Sequence, residues 1–179
     1  MLEFDEFLIR SFDKRDQAPL FQLIDSNRDR LTNFLPITAK ENGTPDMTAT
    51  YIESRQLDAK NREVYAFAIV HQTNQEFAGF ITIKNIDWHA GDCEIGYFID
   101  QHYEGQGITS RAVRAISDHC FSKLWLRKVV IVTSPDNLGS VRVAEKNGFV
   151  KTSKVADGHT DADGINHEVF RYELRKPIG

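Results

Sequence analysis

The sequence has few cysteines and no long apolar run, and these two shortages exclude several classes of protein. Two cysteines, Cys93 and Cys120, in 179 residues are too few for the disulfide framework of a small secreted domain. Apolar runs such as YAFAIV (65–70) are far shorter than the ~20 residues that cross a bilayer. The first ten residues, MLEFDEFLIR, lack the basic start and apolar stretch of a signal peptide. We therefore expect a cytoplasmic protein without a membrane partner.

The chain also lacks an excess of basic residues and any spacing typical of metal ligands. Its 22 lysines and arginines and 26 aspartates and glutamates give a formal net charge of −4, which argues against a general nucleic-acid binder. The six histidines show no metal-ligand spacing. HTDADG (159–164) is similar to part of an EF-hand loop, but His159 stands where the first aspartate belongs. We expect a solvated loop there, no metal site and no nucleic-acid partner.

What remains is an ordinary globular composition in a length that suits one domain, with 41% hydrophobic and 27% charged residues. Apolar patterns and turn residues predict the order β-α-α-β-β-β-α-β-α-β-β, typical of a mixed α/β or α+β domain. Pro36 is predicted to end the first helical region, and Thr44 to cap the next helix. The strands that matter for function are predicted at 7–12, 64–71, 77–86, 93–99 and 128–134.

A glycine-rich turn is the first feature that indicates a binding site. Gly105 and Gly107 lie in EGQGIT (104–109), between the strand 93–99 and a predicted helix. Free backbone N–H groups and the helix dipole favour an anion there, and glycine lets a phosphate approach the backbone. A turn that needs glycine only for its shape is the alternative. A dinucleotide-binding loop would need a third glycine where Ser110 stands, and the chain has no Walker A motif.

A second motif lies in NLGSVRVAEKNGF (137–149), after the strand 128–134. It satisfies the pattern N-x-x-[S/A]-x-x-x-x-E-K-x-G-F, and with the glycine turn it resembles the GNAT family of acetyl-CoA-dependent N-acetyltransferases. The family's turn motif, [Q/R]-x-x-G-x-[G/A], is met only at Gly107, because Glu104 and Thr109 depart from it. With EIGYFI (94–99) and NRDRLTNFLP (27–36), the resemblance extends to the RimJ/RimL-type branch, whose members acetylate α-amino groups of ribosomal proteins.

The resemblance implies a GNAT acyltransferase fold in a single domain, residues 1–179. Its mixed central sheet would be splayed in the middle, with helices on both faces and acetyl-CoA in the gap where strands 93–99 and 128–134 diverge. The coenzyme-binding residues that it implies are Phe98, Ile99, Gly105, Gln106, Gly107, Ile108, Thr109, Asn137 and Ser140. Arg111 and Arg114 either reach the outer phosphates or belong to a solvated helix face.

The transfer of acetyl to an amine needs a neutral amine, a donor for the developing oxyanion and a stabilised thiolate. Glu94 is the candidate base, because a glutamate within so apolar a strand is unusual and the corresponding strand glutamate has this role in other GNAT branches. A structural ion pair is the alternative role for Glu94. Glu63 is the second candidate base, and a solvated surface residue is its alternative.

Ser140 is the candidate to assist the leaving thiolate. Many GNAT members use a tyrosine at the position that Ala144 occupies here, and the resemblance to RimL-like enzymes transfers this role to Ser140. A helix cap is the alternative for this serine. Asn137 is expected to bind the pantetheine arm, and a backbone N–H near Phe98 or Ile99 is expected to bind the oxyanion.

The acceptor amine is left open between three classes of function. A protein N-terminus is the first, a small amine such as a polyamine or aminoglycoside is the second, and a non-catalytic acyl-CoA-binding module is the third. The acidic loop DGHTDADG (157–164) suits a basic peptide and a polycation equally. A homodimer is also left open.

Overall fold

The computed structural model describes residues 1–160 and 164–177, with eight strands and six α-helices in this part of the chain. The strands are β1 (Leu2–Phe4), β2 (Phe7–Ser11), β3 (Tyr65–His71), β4 (Phe77–Asp87), β5 (Asp92–Ile99), β6 (Lys128–Thr133), β7 (Val150–Thr160) and β8 (Asn166–Arg175). The helices are α1 (Gln17–Ser26), α2 (Arg28–Phe34), α3 (Pro36–Glu41), α4 (Pro45–Asn61), α5 (Ile108–Ser122) and α6 (Leu138–Lys146).

The strands form one mixed sheet in the order β1-β2-β3-β4-β5-β6-β8-β7. Only β5 and β6 are parallel neighbours, and they pair over three residues each, Asp92–Glu94 with Lys128–Val130. Beyond these residues β5 stays paired with β4 as far as Ile99, and β6 stays paired with β8 as far as Thr133. The two strands therefore diverge, and the predicted splay of a GNAT-type sheet is confirmed.

Helices cover both faces of the sheet because most strands carry apolar residues on both sides. One core cluster lies under α5 and α6, and a second lies under α1 to α4. Side chains alternate along β5, so that Cys93 and Ile95 belong to the first cluster while Phe98 packs against the second. In α5 the residues Ala112 and Ile116, at helical spacing, are fully buried. The helix N-terminus that follows the glycine turn is thereby fixed against the sheet.

The N-terminal third holds more elements than the sequence pattern predicts. A short strand, β1, precedes the predicted first strand and pairs with it through a turn at Asp5. The predicted end at Pro36 is confirmed, because α2 ends at Phe34 with Leu35 as its C-cap, but Pro36 is also the first residue of a further helix, α3, which was not predicted. Proline fits there, since the first helical N–H has no partner within its own helix. Thr44 caps α4 as predicted, by accepting a hydrogen bond from the N–H of Met47.

The remaining predictions concern membrane helices, metal sites, the two cysteines and the acidic loop. Within the described ranges, no helix is long and apolar enough to cross a bilayer, and no three potential ligands cluster as a metal site would require. The free thiols of Cys93 and Cys120 are buried with their sulfur atoms 3.8 Å apart. Residues 161–163 of the predicted acidic loop lie outside the described part of the chain.

Candidate active site

The glycine turn presents a row of free backbone donors where β5 leads into α5. Gly105 and Gly107 have φ angles of 73° and 74°, in the left-handed region that glycine tolerates. Gly107 is the N-cap of α5 and has no side chain to satisfy the first N–H groups of the helix. Within the described ranges, the backbone N–H groups of residues 105–110 donate no hydrogen bond. The turn therefore has the properties of an anion site.

Two cations converge on the same turn. A β-carbon added at Gly107 would lie 3.0 Å from Nη1 of Arg111 and 3.8 Å from Nζ of Lys146. Arg111 is held there by a hydrogen bond of 3.0 Å to the carbonyl of Gln106 and by an ion pair with Asp5. The sequence motif indicated Lys146 only as part of a family pattern, and the structure adds its position beside the turn.

Not every predicted cation reaches the turn. Arg114 is exposed on α5 and makes no ion pair or hydrogen bond to the described residues. Helical spacing alone could not show which of Arg111 and Arg114 reaches the turn, because residues three apart lie next to each other on the same face of a helix. The structure separates them, since only Arg111 is tied to Asp5 and to Gln106.

Ser140 and Asn137 lie at the start of α6, beside the open part of the gap between β5 and β6. The side-chain oxygen of Asn137 accepts a hydrogen bond of 3.1 Å from the N–H of Ser140. Asn137 is therefore the helix cap, and the capping alternative for Ser140 is wrong. The hydroxyl of Ser140 lies 2.8 Å from the hydroxyl of Tyr97 on β5. The amide nitrogen of Asn137 donates no hydrogen bond to the described residues and is free to bind a ligand.

Glu94 lies where the two strands part, because its pairing with Val130 is the last between β5 and β6. Its carboxylate accepts from Nζ of Lys84 and from the side-chain amide of Asn85, both at 3.0 Å. The side chain is 19% exposed, so the carboxylate is accessible although it is paired. By strand alternation it faces α1 to α4, opposite to Tyr97.

Glu63 is not brought to this place. It is exposed, and it follows α4 at the end of the sheet near Trp88, whose indole donates to the carbonyl of Arg62. Glu63 precedes β3, and β4 lies between β3 and β5 in the sheet. Its predicted alternative, a solvated residue at a helix-strand junction, matches this position.

The cavity beside the approach to the turn is a separate feature. It has a volume of about 690 Å³ and lies between α1, the β3–β4 turn and residues 100–103. Its lining includes none of Glu94, Ser140 and Gly107. Glu94 and Ser140, by contrast, lie beside the gap between β5 and β6.

The family is decided by comparison of the whole sequence. The profile of the acetyltransferase (GNAT) domain matches residues 6–150, which include the glycine turn, the gap and α6. The chain belongs to the GNAT acetyltransferase family. It is an N-acetyltransferase that uses acetyl-CoA.

Individual GNAT relatives cover most of the chain. The probable N-acetyltransferase YjcK of Bacillus subtilis is 30% identical over 173 residues, which are 95% of each chain. The ribosomal-protein-serine acetyltransferase of Escherichia coli is 32% identical over 132 residues, or 74% of this chain and 72% of its own. The structure of RimL, a ribosomal L7/L12 α-N-protein acetyltransferase, in complex with coenzyme A superposes with a TM-score of 0.88 at 24% identity, over 95% and 94% of the two chains.

The GNAT turn of this chain contains one unfavourable charge, and the structure shows what balances it. Glu104 precedes Gly105 and stands where the family motif has glutamine or arginine. Its carboxylate forms an ion pair with Arg30 of α2. Arg30 is also held by the side-chain oxygen of Asn27 at 2.8 Å, and its guanidinium lies 5.3 Å from the centre of the Phe98 ring. A cation from another helix thus balances the negative charge that Glu104 brings into the turn.

Removing that cation is expected to weaken coenzyme binding. Arg30→Ala leaves the Glu104 carboxylate unpaired beside an anion site, and we expect the Kd for acetyl-CoA to rise about threefold at low salt, because the pair is exposed. Isothermal titration calorimetry measures this change. The double variant Arg30→Ala/Glu104→Gln should regain wild-type affinity, whereas an unrescued loss would mean that Arg30 acts through Asn27 or Phe98.

Proposed function

We propose that this enzyme transfers acetyl from acetyl-CoA to the α-amino group of a protein or peptide N-terminus. The observation that carries the proposal is the 32% identity, over 74% of this chain, to a ribosomal-protein-serine acetyltransferase. Acetyl-CoA supplies an activated acyl group as a thioester. The residues of this chain bind the coenzyme, remove a proton from the amine and stabilise the charges that develop.

The coenzyme fits the free donors of the turn. Its pyrophosphate would lie on the backbone N–H groups from Gln106 to Thr109, with Arg111 and Lys146 as flanking cations. The pantetheine arm would follow the gap between β5 and β6, where the free amide of Asn137 is available to it. This assignment places the thioester between Glu94 on one face of the sheet and Ser140 on the other.

The placement of Glu94 and Ser140 on opposite faces of the sheet suits acyl transfer. Glu94 and Tyr97, the partner of Ser140, are three residues apart on β5, about 10 Å along the strand, and point to opposite faces. The amine would approach from the Glu94 side and the thiolate would leave on the Ser140 side. In this proposal Glu94 takes the amine proton, directly or through a water molecule, once Lys84 and Asn85 yield one carboxylate oxygen.

The oxyanion donor is assigned to Ile99 rather than Phe98. The N–H of Asp100 donates to the carbonyl of Ala78 on β4, and N–H directions alternate along a strand. Phe98, two residues before Asp100, therefore directs its N–H towards β4, and Ile99 directs its N–H towards the gap. A backbone donor at that point is fixed by the sheet before the substrate arrives.

The chemistry favours an α-amine over a lysine. An α-amino group has a pKa of ~7.7–8.0 and a lysine side chain of ~10.4. At neutral pH a much larger share of the α-amine is already neutral. Less proton removal is therefore demanded of the enzyme, and a single accessible carboxylate such as Glu94 is sufficient for a substrate of that kind.

The test is acetylation of a mixed acceptor library, followed by mass spectrometry. The library contains peptides with free N-termini, the same peptides with a blocked N-terminus and one lysine, and small amines including spermidine and an aminoglycoside. We expect acetyl on the free N-termini. Acetyl found only on lysine or on a small amine would contradict the proposed acceptor, and coenzyme binding without any transfer would favour a non-catalytic module.

A further inference from the structure

We propose that Tyr97 is a positioning residue, which orients the hydroxyl of Ser140 towards the sulfur of the coenzyme. This inference rests on the proposed function of Ser140 and goes beyond it, because the phenol belongs to a different element. The tyrosine hydroxyl lies 2.8 Å from Oγ of Ser140 and 3.4 Å from its carbonyl oxygen. The sequence motif offered no tyrosine for this site, since Ala144 occupies the position where other members carry one.

The contact links β5 to α6 in the region where β5 is no longer paired with β6. Backbone pairing between β5 and β6 ends at Glu94 and Val130, three residues before Tyr97. Beyond that point the strands diverge, and the phenol reaches across to the first turn of α6. The hydrogen bond is therefore located beside the opening that the pantetheine arm would occupy, rather than within a closed part of the core.

The direction of the hydrogen bond decides what Ser140 can do. Burial raises the pKa of Tyr97 to about 12, so the phenol keeps its proton at neutral pH and can act as a donor. When Tyr97 donates to Oγ, the hydroxyl proton of Ser140 is left for another acceptor. The N–H of Ser140 is already held by Asn137, which fixes the backbone that carries the hydroxyl. In this proposal the phenol donates to Oγ at 2.8 Å rather than to the carbonyl of Ser140 at 3.4 Å, which leaves the serine proton for a ligand in the gap.

For the thiolate to leave, Ser140 has to donate only a hydrogen bond and not its proton. The amine nitrogen forms a bond to the acetyl carbon, the bond between that carbon and sulfur breaks, and the electron pair of the broken bond stays on sulfur. A thiol has a pKa of ~8.5, well below that of an aliphatic alcohol, so the thiolate does not take the proton of Ser140. Ser140 donates a hydrogen bond to the developing negative charge, Tyr97 remains a phenol, and the proton lost by the amine goes to Glu94 or to water.

A double-mutant cycle tests the coupling. Ser140→Ala is expected to lower kcat about tenfold and Tyr97→Phe about fivefold, with the KM for acetyl-CoA unchanged, because each removes a hydrogen bond that strengthens as charge develops. In the Ser140→Ala background Tyr97→Phe should have no further effect. A fivefold loss in both backgrounds would overturn the proposal, since it would mean that Tyr97 acts independently of Ser140. Tyr103→Phe, which removes a phenol hydrogen bond to Glu76, is the matched control and should leave kcat unchanged.

A binding measurement separates this inference from the proposed acceptor. The affinity for free CoA and for desulfo-CoA is measured by calorimetry at pH 7 and pH 9.5, on either side of the thiol pKa. In the wild type we expect the affinity for CoA, relative to the affinity for desulfo-CoA, to be about tenfold higher at pH 9.5 than at pH 7. The reason is that the charged thiolate accepts a stronger hydrogen bond from Ser140 than the thiol does. That rise should be lost in Tyr97→Phe and in Ser140→Ala. A rise that persists in Tyr97→Phe, or is missing in the wild type, overturns the inference even when an acceptor amine has been found. If no library amine is acetylated, only the proposed function fails.

Discussion

Replacing Glu94 with glutamine is expected to lower kcat/KM about 10²-fold at neutral pH, the usual contribution of a general base. Glutamine keeps the shape of the side chain and its hydrogen-bonding capacity, but it cannot accept a proton. The loss should shrink at alkaline pH, where bulk solvent has already deprotonated an α-amine with a pKa of ~7.7–8.0. For a lysine acceptor the recovery would come about 2.5 pH units higher, so the pH profile of kcat/KM also reports the acceptor class.

The ion pair between Glu94 and Lys84 requires a matched control. Lys84→Gln removes the pair of 3.0 Å but leaves the carboxylate in place. If Glu94 is the base, Lys84→Gln should retain most of the activity and Glu94→Gln should not. Equal losses in the two variants would mean that the ion pair supports the strand end structurally. Full activity of Glu94→Gln at every pH would move the base to Glu63 or to a water relay, and Glu63→Gln distinguishes these two.

The fold could be predicted from the sequence where an element has its own periodicity or cap. The apolar spacing of α5 and the Thr44 cap of α4 are of this kind, whereas the divergence of β5 from β6 was implied only by the family resemblance. The number of helices before β3 was not predictable, because Pro36 is compatible with the end of one helix and the start of another. The three-residue strand β1 was missed for a similar reason, since it is defined by its pairing with β2 rather than by its own pattern.

For the site, local motifs gave the turn and the N-terminus of α6, but they could not give contacts between distant elements. Nothing in the sequence indicated that the hydroxyl of Tyr97 meets Ser140, 43 residues away along the chain. The same holds for Arg30, which reaches Glu104 from α2. Such pairs depend on how helices dock on the sheet, and that information is distributed over the whole core.

Replacing Gly107 with valine is expected to weaken acetyl-CoA binding by at least ~2 kcal/mol, about thirtyfold. A side chain at this position would point at Nη1 of Arg111, 3.0 Å away, and at Nζ of Lys146. These are the cations between which a phosphate would lie, so the branched side chain would occupy the space of the anion. Calorimetric titration with acetyl-CoA measures the loss, and circular dichroism establishes that the variant is folded.

Backbone strain has to be separated from this steric effect, because valine is strained at the φ of 74° that Gly107 adopts. Gly164 offers the matched control. Its φ is 80°, and among the described residues an added β-carbon there has no neighbour within 4 Å. Gly164→Val should therefore lower the thermal stability to a similar extent and leave the affinity for acetyl-CoA unchanged. If Gly107→Val is folded and binds acetyl-CoA with wild-type affinity, the pyrophosphate does not lie on this turn. Equal losses of affinity in both variants would assign the effect to general destabilisation, since Gly164 lies in the β7–β8 turn.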